Sequence, residues 1–153
     1  MGTVLEVGTA EFVEAVDRSV VGFMIEKQSA FDELDAILSL DGLDFVVFGP
    51  GDYAMSVGLP GQFDHERIRA AEAQLIEAAQ TKGIAFRAEL GSPEDAERYL
   101  DLGVRHFMIG VDTVILHEWL SANAGAMLDK LGREAPAPGP KWAAGRSGYG
   151  GDR

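Results

Sequence analysis

Short apolar runs alternate with longer amphipathic stretches along most of this chain, and that alternation constrains the fold more than any other feature. Residues 20–26 (VVGFMIE) form a nearly continuous apolar run, as expected of a strand covered on both faces. Residues 43–49 (LDFVVFG) read as a second buried-type strand, 84–90 (IAFRAEL) as a third and 105–110 (RHFMIG) as a fourth. The stretches between them have helical spacing. In 10–18, Phe12, Val13 and Val16 share a face; in 30–40, Phe31, Leu34, Ile37 and Leu38 do. A long helix over 64–82 points Ile68, Ala71, Leu75, Ile76 and Ala79 inward and closes at Gly83, a good C-cap. Ser92-Pro93-Glu94-Asp95 opens the next helix with a cap, a first-turn proline and early acids. It stops at Gly103, and a last helix runs over 114–131 with Gly125 as its weak point. The order is one helix, then four strand–helix units. Short links and strict alternation mean a parallel sheet with right-handed crossovers. In such a sheet ligands bind at the C-terminal ends of the strands. The positions to inspect are therefore Glu26, 49–56, 89–92 and 110–113.

Length sets the next bound. The chain has 153 residues, too few for a complete eight-stranded α/β barrel, which takes about 250. Hydrophobic residues make up 46 %, enough for a core. No apolar run approaches the roughly 20 residues that span a membrane. The opening MGTVLEVGTAEF has no basic segment leading into an apolar one, so a secretory signal is not expected; a cytoplasmic location is. The absence of cysteine excludes disulfides, thiolate–metal sites and a cysteine nucleophile. A net charge of −12 argues against nucleic acid as a partner, since that binding rests on Lys and Arg neutralising phosphates. The segment from Arg133 is rich in Pro, Gly and Ala and carries four basic residues (Arg133, Lys141, Arg146, Arg153) against two acidic ones. The expected division is a folded body over 1–132 and a flexible tail over 133–153, with Trp142 and Tyr149 its only docking-type residues.

Two strand-end carboxylates carry the chemistry. Glu26 ends the first strand, where an unpaired buried charge would be expensive. Asp52 follows the second in Gly49-Pro50-Gly51-Asp52. Neighbouring parallel strands lie about 4.8 Å apart, so the two can converge. Hard oxygen ligands of this kind suit Mg²⁺ or Mn²⁺, completed by waters and substrate oxygens. Simpler roles stand beside this one: an ion pair of Glu26 with Lys27 or an interior arginine, and a helix cap or Asx-turn at Asp52. The loop 49–61 (GPGDYAMSVGLPG) allows tight turns, and the amides of Gly51 and Asp52 form a candidate nest for a carboxylate. It is neither a dinucleotide fingerprint nor a P-loop.

These residues together resemble a known family. Met24-Ile25-Glu26, the helix AFDELDAI, then GLDFVVFGPGDYAMSVGLPG, Tyr99-Leu100-Asp101-Leu102-Gly103 and Ile109-Gly110-Val111-Asp112-Thr113 are similar, at matching spacing, to the HpcH/HpaI aldolases of the 4-hydroxy-2-oxoheptanedioate and 2-keto-3-deoxy sugar acid type. The resemblance covers roughly residues 10–131. It implies the C-terminal half of a TIM (β/α)8 barrel, strands five to eight. It implies metal ligation by Glu26 and Asp52, and substrate binding by Gly51, Asp52 and Ser56. The implied cofactor is Mg²⁺ or Mn²⁺, with Co²⁺ a further candidate, and the implied chemistry is a lyase reaction through a pyruvate enolate.

The family's general-base histidine and its keto-gripping arginine lie in the other half of the barrel and have no counterpart here. His65 reads as a helix-start residue. His106, early in the fourth strand, falls at the face opposite the site. His117 lies on the helix that packs at a subunit interface in the family. Arg87 stands mid-strand where the family prefers a small residue; either it points into the barrel and pairs with Glu26 or Glu89, as interior charges need partners, or it marks changed chemistry. A half-barrel has open edges. It is completed by a separate polypeptide, by a second copy, or not at all. The first is expected: a heteromeric enzyme whose partner supplies the first four strands, the histidine and the arginine. Met1 just before the first helix then reads as a gene boundary between βα units, although a truncated piece of a longer chain would look the same. The alternatives are a non-catalytic structural or regulatory half-barrel and a CoA-ester lyase, for whose phosphates the body shows no basic patch.

Overall fold

The computed structural model describes residues 6–134; the tail expected over 133–153 falls almost wholly outside them. Helix α1 (Ala10–Asp17) precedes strand β1 (Gly22–Ile25). Two short helices follow, α2 (Gln28–Asp32) and α3 (Leu34–Ile37), then β2 (Phe45–Phe48) and α4 (Pro50–Ser56). The long α5 (Glu66–Lys82) leads to β3 (Ala85–Leu90), a 3-10 turn (Pro93–Ala96) and α6 (Glu97–Asp101). Strand β4 (His106–Ile109) and α7 (Asp112–Lys130) complete the fold. All strands are parallel, in the order β1-β2-β3-β4. The expected four strand–helix units are present.

Register divides the sheet into two faces. Ile25, Val46, Phe48, Phe86, Ala88 and Leu90 point one way and are buried against the helices. Phe31, Leu34 and Leu38 cover them from α2 and α3, while α5 contributes Ile68, Ala71, Leu75, Ile76 and Ala79. The long helix buries the five residues that its spacing selects. It ends at Gly83, whose φ of +73° an L side chain rarely adopts.

The opposite, more open face carries Met24, Phe45, Val47, Arg87, Glu89, His106 and Met108, with Val47 at its centre buried. For β1 this corrects the expectation of a strand covered on both faces, whereas β2 is buried on both. Met24 is 48 % exposed. The outer strands are also thinly covered on the helix side: Phe23 is 39 % exposed and Ile109 55 %. The cause is local, because neither α1 nor α7 buries a single residue. Phe12, Val13 and Val16 do share helix α1 but have no core to enter.

Two helices differ from expectation. The stretch 30–40 breaks at Glu33 into α2 and α3, which keeps both Phe31 and Leu34 in the core. The glycine-rich loop 49–61 contains a helix, α4, started by Pro50 at its first turn and held by buried Tyr53 and Ala54.

Candidate active site

At the C-terminal end of the sheet, the backbone amide of Gly49 donates to the carbonyl of Ile25 at 3.0 Å. That bond carries the β1–β2 ladder one step beyond the strands and sets Glu26 beside Gly49. A Cβ built on Gly49 would lie 2.6 Å from Glu26 Cβ and 3.1 Å from its Oε2. Glu26 therefore occupies the space that any side chain at 49 would need. This is a close-approach glycine rather than a turn glycine: its φ is −102°.

Asp52 is exposed in the first turn of α4, where a carboxylate is favoured by the helix dipole. Gly51 and Asp52 lie in that same turn, where amides have no intrahelical acceptor. An aromatic cluster fixes the helix. Tyr53 lies 4.9 Å from Phe31 and 5.4 Å from Phe48, ring centre to ring centre, and Phe31 meets Phe48 edge-on at 6.1 Å. Such pairs contribute about 0.5–1.5 kcal/mol each beyond their burial. Tyr53 Oη also donates to Gln28 Oε1 at 3.1 Å, and Arg67 Nη2 donates to the same oxygen. Glycine density in the loop hid both the helix and this anchor; a tyrosine followed by two apolar residues was the available signal.

Ser56 ends α4. Its hydroxyl donates to the carbonyl of Tyr53 at 2.8 Å and accepts from the amide of Gln28 at 3.2 Å. The side chain thus ties α4 to the start of α2. With its proton committed, it could offer a ligand only an acceptor lone pair.

Glu26 and Asp52 sit at the same end of neighbouring strands, and no hydrogen bond or ion pair among the described residues engages either carboxylate. Two free hard-oxygen donors suit a divalent cation that takes its remaining ligands from water and substrate. Among the described residues no grouping of three or more His, Asp or Glu is arranged to hold a metal.

Arg87 faces the open side, as expected. Its Nη2 lies 3.4 Å from Glu89 Oε1, and its guanidinium sits 4.5 Å over the Phe45 ring. The partner is Glu89 rather than Glu26. His106 begins β4, at the end of the strands away from Glu26, and in register with Arg87. His65 caps α5, its Nδ1 accepting from the amide of Arg67 at 3.1 Å. His117 is exposed on α7.

A buried cluster away from the site joins α5 to α6. Tyr99 Oη donates to Glu72 Oε1 at 2.7 Å, and Arg98 bonds the same hydroxyl. Burial pushes the Tyr99 hydroxyl well above its ordinary range, and the Glu72 carboxylate adds to this against an opposing effect of Arg98.

The sequence model of the HpcH/HpaI aldolase/citrate lyase family matches residues 3–118. A 4-hydroxy-2-oxo-heptane-1,7-dioate aldolase of Escherichia coli is 32 % identical over 127 residues, covering 83 % of this chain and 47 % of that protein. The enzyme of the same name from Salmonella arizonae is 35 % identical over 116 residues, covering 74 % and 44 %. Among solved structures, the citrate synthase SbnG superposes with a TM-score of 0.68 at 25 % identity, over 82 % of this chain and 53 % of that one. An HpcH/HpaI aldolase from Desulfitobacterium hafniense gives 0.66 at 22 % identity, over 89 % and 51 %, a likeness of fold. The chain spans about half the length of the relatives it matches. No helix among the described residues is long and apolar enough to cross a membrane.

Proposed function

The chain belongs to the HpcH/HpaI aldolase/citrate lyase family, and from that membership we propose that it is half of a divalent-metal-dependent aldolase acting on a 2-oxo acid. The observation that carries the proposal is the pair of unengaged carboxylates, Glu26 and Asp52, at the C-terminal ends of adjacent parallel strands. They would hold Mg²⁺ or Mn²⁺, or alternatively Co²⁺. When bound, the cation supplies a Lewis acid that stabilises negative charge developing on the keto oxygen as the carbon–carbon bond breaks. Gly49 leaves Glu26 the room to lean over the strand end. The amides of Gly51 and Asp52 would donate to the substrate carboxylate from the first turn of α4. Ser56 would face the substrate as an acceptor only.

No residue of this half replaces the general-base histidine or the arginine that the family resemblance implies. A second polypeptide carrying the other half of the barrel would supply both and would cover the open face of the sheet. Support comes from the share of the relatives that the chain spans and from that uncovered face. A second copy of this chain is the alternative occupant. A non-catalytic half-barrel is the competing function.

The test is purification of the tagged chain from its own cells together with whatever it binds. The material is then assayed for pyruvate release from a 4-hydroxy-2-oxo acid. Expected is a stoichiometric partner and an activity lost to EDTA, to Glu26→Gln and to Asp52→Asn. Cleavage that survives both substitutions, or a stable monomer without activity, would defeat the proposal.

A further inference from the structure

We infer that Arg87 forms a second anion subsite on the open face of the sheet, taking a carboxylate of a small organic acid. The inference rests on the proposed function only in placing the rest of that acid toward the strand ends; the subsite itself stands on the geometry around Arg87.

Alternation along β3 sends Phe86, Ala88 and Leu90 into the core and leaves Arg87 and Glu89 on the open face. The guanidinium does not hang free. It lies on the Phe45 ring at 4.5 Å, and that ring is itself fixed across Gly22, where a Cβ would come within 2.1 Å of Phe45 Cζ. Stacking of this kind sets the plane of the guanidinium.

The guanidinium is poorly satisfied for so fixed a group. It has five N–H donors. One meets Glu89 Oε1 at 3.4 Å, well beyond the roughly 2.7–2.9 Å of a charge-assisted bond. Its Nε is shut off from solvent and has no acceptor. The Arg87 and Glu89 side chains are 34 % and 12 % exposed, so the cation stays reachable while its paired carboxylate is nearly covered. A planar acceptor with two oxygens is what the unused donors match.

Access and distance fit a small acid. Met24, on the same face, is about half exposed. The guanidinium reaches to within 3.4 Å of Glu89 Oε1, near the C-terminal end of the strand, so a short acid suffices to extend from it toward the strand ends. An acidic side chain of a covering half-barrel presents the same chemistry, and the experiment separates the two sources.

The full chain, ¹⁵N-labelled and in EDTA, is titrated with succinate while the Arg87 Nε–Hε resonance and the amides of Phe45 and Glu89 are followed. Expected is a saturable shift that disappears in Arg87→Met and weakens in Arg87→Lys, which keeps the charge but loses the fork. Glu89→Gln should tighten succinate binding several-fold, because it removes the competing carboxylate. No saturable shift, an unchanged response in Arg87→Met, or weaker binding in Glu89→Gln would each overturn the inference. A wild-type chain that ignores succinate assigns Arg87 to a protein partner and ends the small-acid proposal. Because EDTA removes divalent ions, failure of the metal site and failure of this subsite are read separately.

Discussion

Replacing Gly49 by alanine tests the packing that positions Glu26. The backbone is not the main obstacle, since the φ of −102° is negative, on the side that L residues adopt. The side chain does not fit. Its Cβ would sit 2.6 Å from Glu26 Cβ, about 1 Å inside ordinary carbon–carbon contact. That atom is next to the main chain, so the clash cannot be relieved by rotating a flexible end. Met24 Sδ at 3.2 Å closes a second side. Overpacking of this kind costs about 1–3 kcal/mol, partly offset by about 0.4–1 kcal/mol from the stiffer unfolded chain. A net loss of about 1–2 kcal/mol should lower the urea midpoint by roughly 1 M at a slope of about 1–3 kcal/mol per molar. The paired control is Gly51→Ala. It lies inside α4 with nothing nearer than Phe63 Cε1 at 3.9 Å, so the helix should gain a few tenths to about 1 kcal/mol. Urea unfolding of the three proteins side by side decides. If Gly49→Ala is as stable as wild type, Glu26 does not lie over position 49 and the site geometry is wrong.

Leu75→Ala should cost about 2–5 kcal/mol, because Leu75 is fully buried in the centre of α5; thermal unfolding measures it. Tyr99→Phe should cost about 1–2 kcal/mol by leaving Glu72 and Arg98 without the shared hydroxyl, read by the same method. The raised Tyr99 ionisation gives that substitution a pH signature. Above the ordinary value of 10.0 the unfolded chain releases the phenolic proton while the folded chain keeps it. The unfolded state then binds fewer protons, so this contribution is complete below that pH and declines as pH rises above it. Stability of wild type should therefore fall more steeply than that of Tyr99→Phe in alkaline urea titrations, and equal slopes would refute the assignment.

Much of the architecture was legible because periodicity and burial agree. The five apolar positions chosen by spacing in the long helix are the five it buries, and the four strands pair in chain order. Glu26 was legible as an acid at the end of an apolar run. Three features were not. The helix at Pro50–Ser56 lay inside a loop whose glycines mask its proline start and buried tyrosine. The stacking of Arg87 on Phe45 depends on register between strands roughly 40 residues apart, which no local pattern encodes. Helix α1 has an apolar face yet buries nothing, and α7 buries nothing either, since periodicity shows that a face is apolar without showing what covers it. Ser56 has a further role that no local pattern encodes: it ties α4 to α2 through the carbonyl of Tyr53 and the amide of Gln28.

The central claim is that Glu26 and Asp52 together hold one divalent cation. Mn²⁺ binding by the full chain, followed through the electron paramagnetic resonance of free Mn²⁺, tests it most directly. Expected is one saturable site that weakens at least about tenfold, or roughly 1.4 kcal/mol, in both Glu26→Gln and Asp52→Asn. Binding that is absent in wild type, or equal in wild type and both variants, would contradict the claim.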